Sequence, residues 1–166
     1  MDNHEYVIHV SQNGKLLGDI YLKLKPEVAP NHVKRFEELV EKKFYDGCAF
    51  HRVIPGFMIQ GGDPNSKSGA RNTWGMGDGA MPKVNSEFNK TPHKRGILSA
   101  ARTNDPNSFT CQFFICVADA AFLDNQYTVF GEVTKGMDIA DKVVSSKRDA
   151  QDNPFDKISM IVEKTK

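Results

Sequence analysis

Residues 50–63 read FHRVIPGFMIQGGD, the pattern of two short strands joined by a tight turn. Chain reversal at Pro55-Gly56 brings Arg52 near Phe57, Met58 and Gln60. Alternation along the second strand puts Met58 and Gln60 on one face and Ile59 on the other. A permanent cation and an amide then sit beside an aromatic ring and a thioether. That combination suits an apolar ring carrying a polar bond, such as a proline residue with its preceding peptide bond. The same residues also fit a hairpin whose arginine only snorkels over apolar surface.

Outward from this hairpin, short strand candidates recur at 5–10, 16–24, 50–54, 57–60, 97–101, 112–117, 128–133 and 157–162, separated by turn residues such as Asn13-Gly14 and Lys135-Gly136. Two helices interrupt them. The first opens at Pro30, a residue suited to the first helical position, aligns Val33, Phe36, Val40 and Phe44 on one stripe, and is stopped by Asp46-Gly47. The second, over 138–145, turns Ile139, Val143 and Val144 inward. A mainly β fold follows: a closed eight-stranded antiparallel barrel with a helix over each end. Within 112–117 the period of two separates Gln112, Phe114 and Cys116 from the wholly apolar set Phe113, Ile115 and Val117. The apolar set reads as interior, so Phe114 points outward, where a large aromatic needs a reason. The polar, glycine-rich stretch 61–78 reads as a long loop.

A chain of 166 residues suits a single domain spanning 1–166. Its 22 Lys+Arg against 21 Asp+Glu, with basic residues only in pairs, do not make a nucleic-acid groove or a membrane-surface patch. The opening MDNHE is not a signal peptide, and the longest apolar run, 113–118, is far short of a membrane span. A cytoplasmic location is expected. Cys48, Cys111 and Cys116 have no disulfide framework spacing and read as buried thiols of a reducing compartment. His4, His9, His32 and His93 lack metal-ligand spacing, and nothing forms a nucleophile elbow. His51 reads as a hydrogen-bonded structural histidine, and Trp74 as packing for the long loop rather than the lining of a secondary subsite.

The hairpin at 50–63 closely resembles the signature hairpin of cyclophilins, the peptidyl-prolyl cis-trans isomerases. Gln112 to Cys116 (QFFIC) is similar to the family's second signature strand. Phe122-Leu123-Asp124 with Val129-Phe130-Gly131-Glu132-Val133 resembles its third, and the matches run in family order from about Tyr6 to Val162. The resemblance implies the same barrel and an isomerase that assists folding by accelerating rotation about X-Pro bonds. That rotation breaks amide resonance against a barrier of ~18–20 kcal/mol but breaks no covalent bond. The catalyst needs only preferential binding of the twisted amide, so no cofactor and no metal are expected. A fixed donor aimed at the pyramidal proline nitrogen lowers the barrier, and Arg52, with its rigid fork, fits that role.

By the same resemblance Phe57, Met58, Phe114 and Leu123 form the pocket for the pyrrolidine ring. Gln60 and Gln112 position Arg52 and the rotating carbonyl, the Arg102 backbone pins the substrate main chain, and Phe122 and Tyr127 form an outer wall. Phe122 and Tyr127 stand where the eukaryotic pattern has tryptophan and histidine, and 100–110 is closer to bacterial members. Expected partners are proline-containing peptides and unfolded protein clients, with cyclosporin-type cyclic peptides bound at reduced affinity. Nucleic acid and membrane are not expected, and a monomer is. The competing reading is a proline-peptide binding or chaperone module without turnover on the same fold.

Overall fold

All eight expected strands form. In the computed structural model, which describes residues 3–77 and 79–165, they are β1 (Glu5–Gln12), β2 (Lys15–Leu24), β3 (Arg52–Ile54), β4 (Met58–Gly61), β5 (Ile97–Ala100), β6 (Phe113–Cys116), β7 (Val129–Lys135) and β8 (Ile158–Lys164). Asp78 of the long loop lies outside the described residues, as do residues 1, 2 and 166. The strands make one curled antiparallel sheet in the order β3-β4-β6-β5-β7-β2-β1-β8.

The sheet is curled but open at one seam, since no ladder among the described residues joins the edge strands β3 and β8. β8 bonds instead to the segment preceding β3, through Gly47 N–H to Met160, Phe50 N–H to Ile158 and Met160 N–H to Cys48. The outer edge of β3 is taken by another partner: Val53 N–H donates to the Asp152 carbonyl at 2.8 Å. A strand edge offers one row of donors and acceptors. Once the loop before β8 has filled that row, β8 cannot pair there.

The helices are α1 (Pro30–Glu41), the single turn α2 (Asn65–Ser68) and α3 (Met137–Val144). α1 packs against β7 and β8, and α3 against β2, β3 and β4. α2 and a 3-10 turn, Arg71–Thr73, give the expected loop structure of its own. α1 ends sooner than the Asp46-Gly47 signal suggests. Lys43 takes a left-handed conformation (φ 58°), with Lys43 N–H bonded to Val40 and Phe44 N–H bonded to Leu39. This pair of bonds satisfies the last carbonyls of the helix. Phe44 therefore lies beyond the helix, yet still packs on the core.

Two apolar clusters result from strand alternation. The main core takes Ile8, Ile20, Leu22, Ile59, Phe113, Ile115 and Phe130, together with the inner faces of α1 and α3. A second cluster, built on Met58, Phe114, Cys116, Leu123 and Val129, lies on the other face of the sheet. All three cysteines are buried and outside disulfides, and burial pushes the Cys48 thiol up to about 11 and the Cys116 thiol up to about 12. Phe36 of α1 is the hub of the main core. Its ring meets those of Tyr6, Tyr45, Phe113 and Phe130 at centroid distances of 5.2–5.7 Å. Phe36→Ala should cost about 3–5 kcal/mol in urea unfolding, and Phe36→Leu clearly less, because leucine refills most of the cavity.

Candidate active site

The turn at the centre of the hairpin forms as its residues require. Phe57 N–H donates to the Ile54 carbonyl at 3.0 Å, with Pro55 and Gly56 between them and Gly56 at φ 74°, a conformation that favours glycine. The register then sets Arg52 opposite Gln60, Gln60 opposite Phe114, and Phe114 opposite Ser99. Directly opposed residues share a face. Arg52, Gln60, Phe114 and Ser99 therefore form one row across β3, β4, β6 and β5 on the face away from the main core.

Every expected site residue except Gln112 lines one groove of about 390 Å³ beside this row. Met58, Phe114 and Leu123 are buried at its base, and Phe57 and Tyr127 form half-buried walls. Phe122, 67% exposed, stands on the rim with its ring 5.5 Å from that of Phe57. Gln112 lines an adjoining pocket of about 200 Å³ that shares Gln60, Ala101 and Arg102 with the groove.

Polar groups run along the edge of the groove as a relay. Arg52 Nη1 lies 3.5 Å from Gln60 Oε1, Gln60 Nε2 donates to Gln112 Oε1 at 3.1 Å, and Gln112 Nε2 donates to the Gly75 carbonyl at 3.1 Å. The guanidinium is exposed, and among the described residues this long contact is its one hydrogen bond. Arg102 is committed elsewhere. Its guanidinium lies 4.7 Å over the Tyr127 ring, and Nε donates to the Gln126 carbonyl at 2.8 Å. No hydrogen bond among the described residues uses the Arg102 backbone N–H or C=O, so both remain available to a chain laid alongside.

Sequence reasoning missed what supports Phe114 from behind. His93, buried and with its pKa lowered by burial, stacks at 6.2 Å from the Phe114 ring. It is held by Asp124 Oδ1 at Nδ1 (3.0 Å) and Ser99 Oγ at Nε2 (2.9 Å). Tyr127 meets the edge of Phe114 at 5.7 Å. Ala101 and Gln126 also line the groove. No local pattern marks these residues, because their neighbours come from distant strands and turns.

The chain belongs to the cyclophilin family: the family described as cyclophilin type peptidyl-prolyl cis-trans isomerase/CLD matches residues 7–165. A probable peptidyl-prolyl cis-trans isomerase of Brucella suis is 45% identical over 130 residues, covering 76% of this chain and 66% of that protein. Peptidyl-prolyl cis-trans isomerase A of Dickeya dadantii is 47% identical over 131 residues, with the same coverage of each. The chain thus spans about two thirds of the length of these curated relatives. A crystal structure of a cyclophilin-type isomerase of Cryptosporidium parvum, obtained in the presence of the dipeptide Ala-Pro, matches with a TM-score of 0.80 at 27% identity. It covers 96% of this chain and 99% of that one.

His51, next to Arg52, is buried; its Nδ1 makes no well-aligned hydrogen bond among the described residues, and the Ala49 backbone is a polar neighbour of the ring. Burial lowers its pKa to about 4, with the nearby Arg52 cation adding to the effect against the opposing charge of Asp63. The folded state therefore holds His51 neutral, whereas the unfolded chain takes up a proton near pH 6.5. Its contribution is complete above about pH 6.5 and is lost as pH falls towards 4. His32 and His93, also lowered by burial, act in the same direction. His9, raised by its hydrogen bond to Asp19, acts in the opposite one. Urea midpoints measured between pH 7 and pH 4 should fall, and His51→Gln should remove a part of that slope on the order of 3 kcal/mol.

Proposed function

We propose that this chain is a peptidyl-prolyl cis-trans isomerase acting on exposed X-Pro bonds of flexible or unfolded chains, with Arg52 as the catalytic donor. The observation that carries this reading is the exposed, weakly committed guanidinium at the edge of an apolar pocket floored by Met58, Phe114 and Leu123. The pocket holds the pyrrolidine ring by apolar contact. The Arg102 backbone and Gln60 hold the chain around it, and the preceding carbonyl turns. As the amide twists, the proline nitrogen regains its lone pair, and Arg52 donates to it. The bond exists at the twist and not in the planar ground states, so it lowers the barrier rather than tightening substrate binding. One charged hydrogen bond contributes about 1.5–3 kcal/mol, roughly 10- to 150-fold in rate. Ring confinement supplies the remainder.

The relatives named as isomerases support the reading, as does the Ala-Pro dipeptide present with the structural neighbour. A binding module without turnover would use the same apolar pocket, but would have no need of a donor that acts only at the twist. The single-domain, monomeric and cytoplasmic expectations belong to this proposal. So does the expectation that the described sheet works as a barrel, its seam carried by the bonds from 47–50 to β8.

Arg52→Ala should lower kcat/KM on an Ala-Pro peptide at least tenfold, followed by NMR exchange, while the melting temperature barely moves. Exposed substitutions seldom cost more than ~0.5 kcal/mol. Arg52→Lys should recover only part, since a point ammonium lacks the fork. Full activity in the alanine variant would favour the module without turnover.

Phe122 provides a second test. At the groove rim it offers contact area but no donor, whereas an indole N–H there could donate to a carbonyl of a cyclosporin-type peptide. Phe122→Trp should bind cyclosporin ~2- to 13-fold more tightly, the equivalent of one neutral hydrogen bond. Turnover of short X-Pro peptides should scarcely change, and equal inhibition constants would remove Phe122 from the ligand contact.

A further inference from the structure

The relay from Arg52 through Gln60 and Gln112 ends on a backbone carbonyl, that of Gly75, and what holds that carbonyl still is a buried carboxylate. Asp63 follows β4 and is fully buried. Its Oδ2 accepts from Gly75 N–H at 2.6 Å and from Gly77 N–H at 3.2 Å. On the other side, Asn65 N–H lies 3.4 Å from Oδ1, and the Asn65 amide lies 3.4 Å from Oδ1 and 3.3 Å from Oδ2 while also donating to the Gly77 carbonyl at 3.0 Å. A carboxylate out of water must have its lone pairs filled, so these donors are obligatory partners. The loop is pinned from below as well. A Cβ on Gly75, at φ 98°, would fall 2.9 Å from His51 Nε2, so only glycine lets the chain lie this close.

The relay also has a polarity. The Gly75 carbonyl can only accept, and the guanidinium can only donate. With Gly75 in place, Gln112 must turn its NH2 towards the loop and its oxygen towards Gln60. Gln60 must in turn present its oxygen to Arg52. Release of Gly75 removes the fixed acceptor, so Gln112 can flip its NH2 towards Gln60, and a Gln60 that follows sets its own NH2 against the guanidinium. We propose that Asp63 is a positioning residue for Arg52, acting through Gly75, Gln112 and Gln60. This rests on the isomerase reading above and extends it to a group that does not line the groove.

The test is a double-mutant cycle read by NMR exchange on an Ala-Pro peptide, with thermal melts alongside. Asp63→Ala should lower kcat/KM about fivefold, and Asp63→Asn about twofold, because its single oxygen still serves Gly75 N–H while its NH2 faces other donors. In a Gln112→Ala background, where the relay is already cut, neither substitution should lower the rate further. The loss of melting temperature should be the same in both backgrounds. A purely structural role would instead lower the rate by one factor in both. Should Asp63→Ala not fold, Asp63→Asn carries the same cycle. An activity-independent reading comes from the side-chain N–H signals of Gln60, Gln112 and Arg52, which should shift or broaden in Asp63→Asn. A wild-type rate in Asp63→Ala, equal losses in both backgrounds, or unchanged side-chain signals each overturn the positioning role. Absence of turnover in the wild-type protein would overturn the isomerase reading, while the side-chain signals would still decide the role of Asp63.

Discussion

Residues opposed across antiparallel strands point to the same side of the sheet, and the whole candidate site descends from that constraint. Arg52 faces Gln60, Gln60 faces Phe114, and Phe114 faces Ser99, so three ladder pairings carry a cation, an amide, an aromatic ring and a hydroxyl onto one outer face. Their sequence neighbours Val53, Ile59, Phe113 and Ile115 are sent to the main core by the same alternation. A register slip of one residue would exchange the two sets, placing a guanidinium in the core and leaving large apolar side chains in water. The core thus holds the site in register.

An outward-facing phenylalanine requires a bed of its own. The second apolar cluster provides it: Met58, Cys116, Leu123 and Val129 pack around Phe114, and His93 lies behind its ring. The histidine is fixed at both nitrogens, by Asp124 and Ser99, so the ring above it has little freedom to tilt. A pocket base this constrained can hold a five-membered ring while the bond before it turns. Arg52 behaves differently. It stays in solvent, with one long contact among the described residues, to Gln60, and keeps most of its donors for a ligand.

Between buried pocket and exposed cation runs the chain of amides, and its far end depends on the loop after β4. That loop has few apolar anchors, and Met76 within it is largely exposed. Its order comes from polar contacts instead: the buried Asp63 carboxylate, the Asn65 amide, and the Trp74 indole N–H on the Gly69 carbonyl. Trp74 lies between Arg71 and Lys157, each 5.4 Å from its ring, and also lines a pocket beside Arg52 and Gln60. Electrostatic ties rather than hydrophobic burial therefore shape the loop wall of the pocket that adjoins the groove.

The eight strands, the hairpin turn and the split of 112–117 into inner and outer sets were legible in the sequence, because each depends on a local period of two or on turn chemistry confined to a few residues. Arg52, Phe57, Met58 and Gln60 were legible as a group for the same reason, since one tight turn brings them together. Tertiary structure alone decided that β3 and β8 do not pair, because the loop carrying Asp152 occupies the β3 edge first. It also decided that α1 stops at a left-handed Lys43, that His93 supports Phe114, and that Asp63 grips Gly75. Each of these rests on hydrogen bonds or ring contacts between positions brought together by the fold, or on a backbone conformation chosen among close alternatives. Local sequence pattern carries no signal for which distant partner reaches a polar group first.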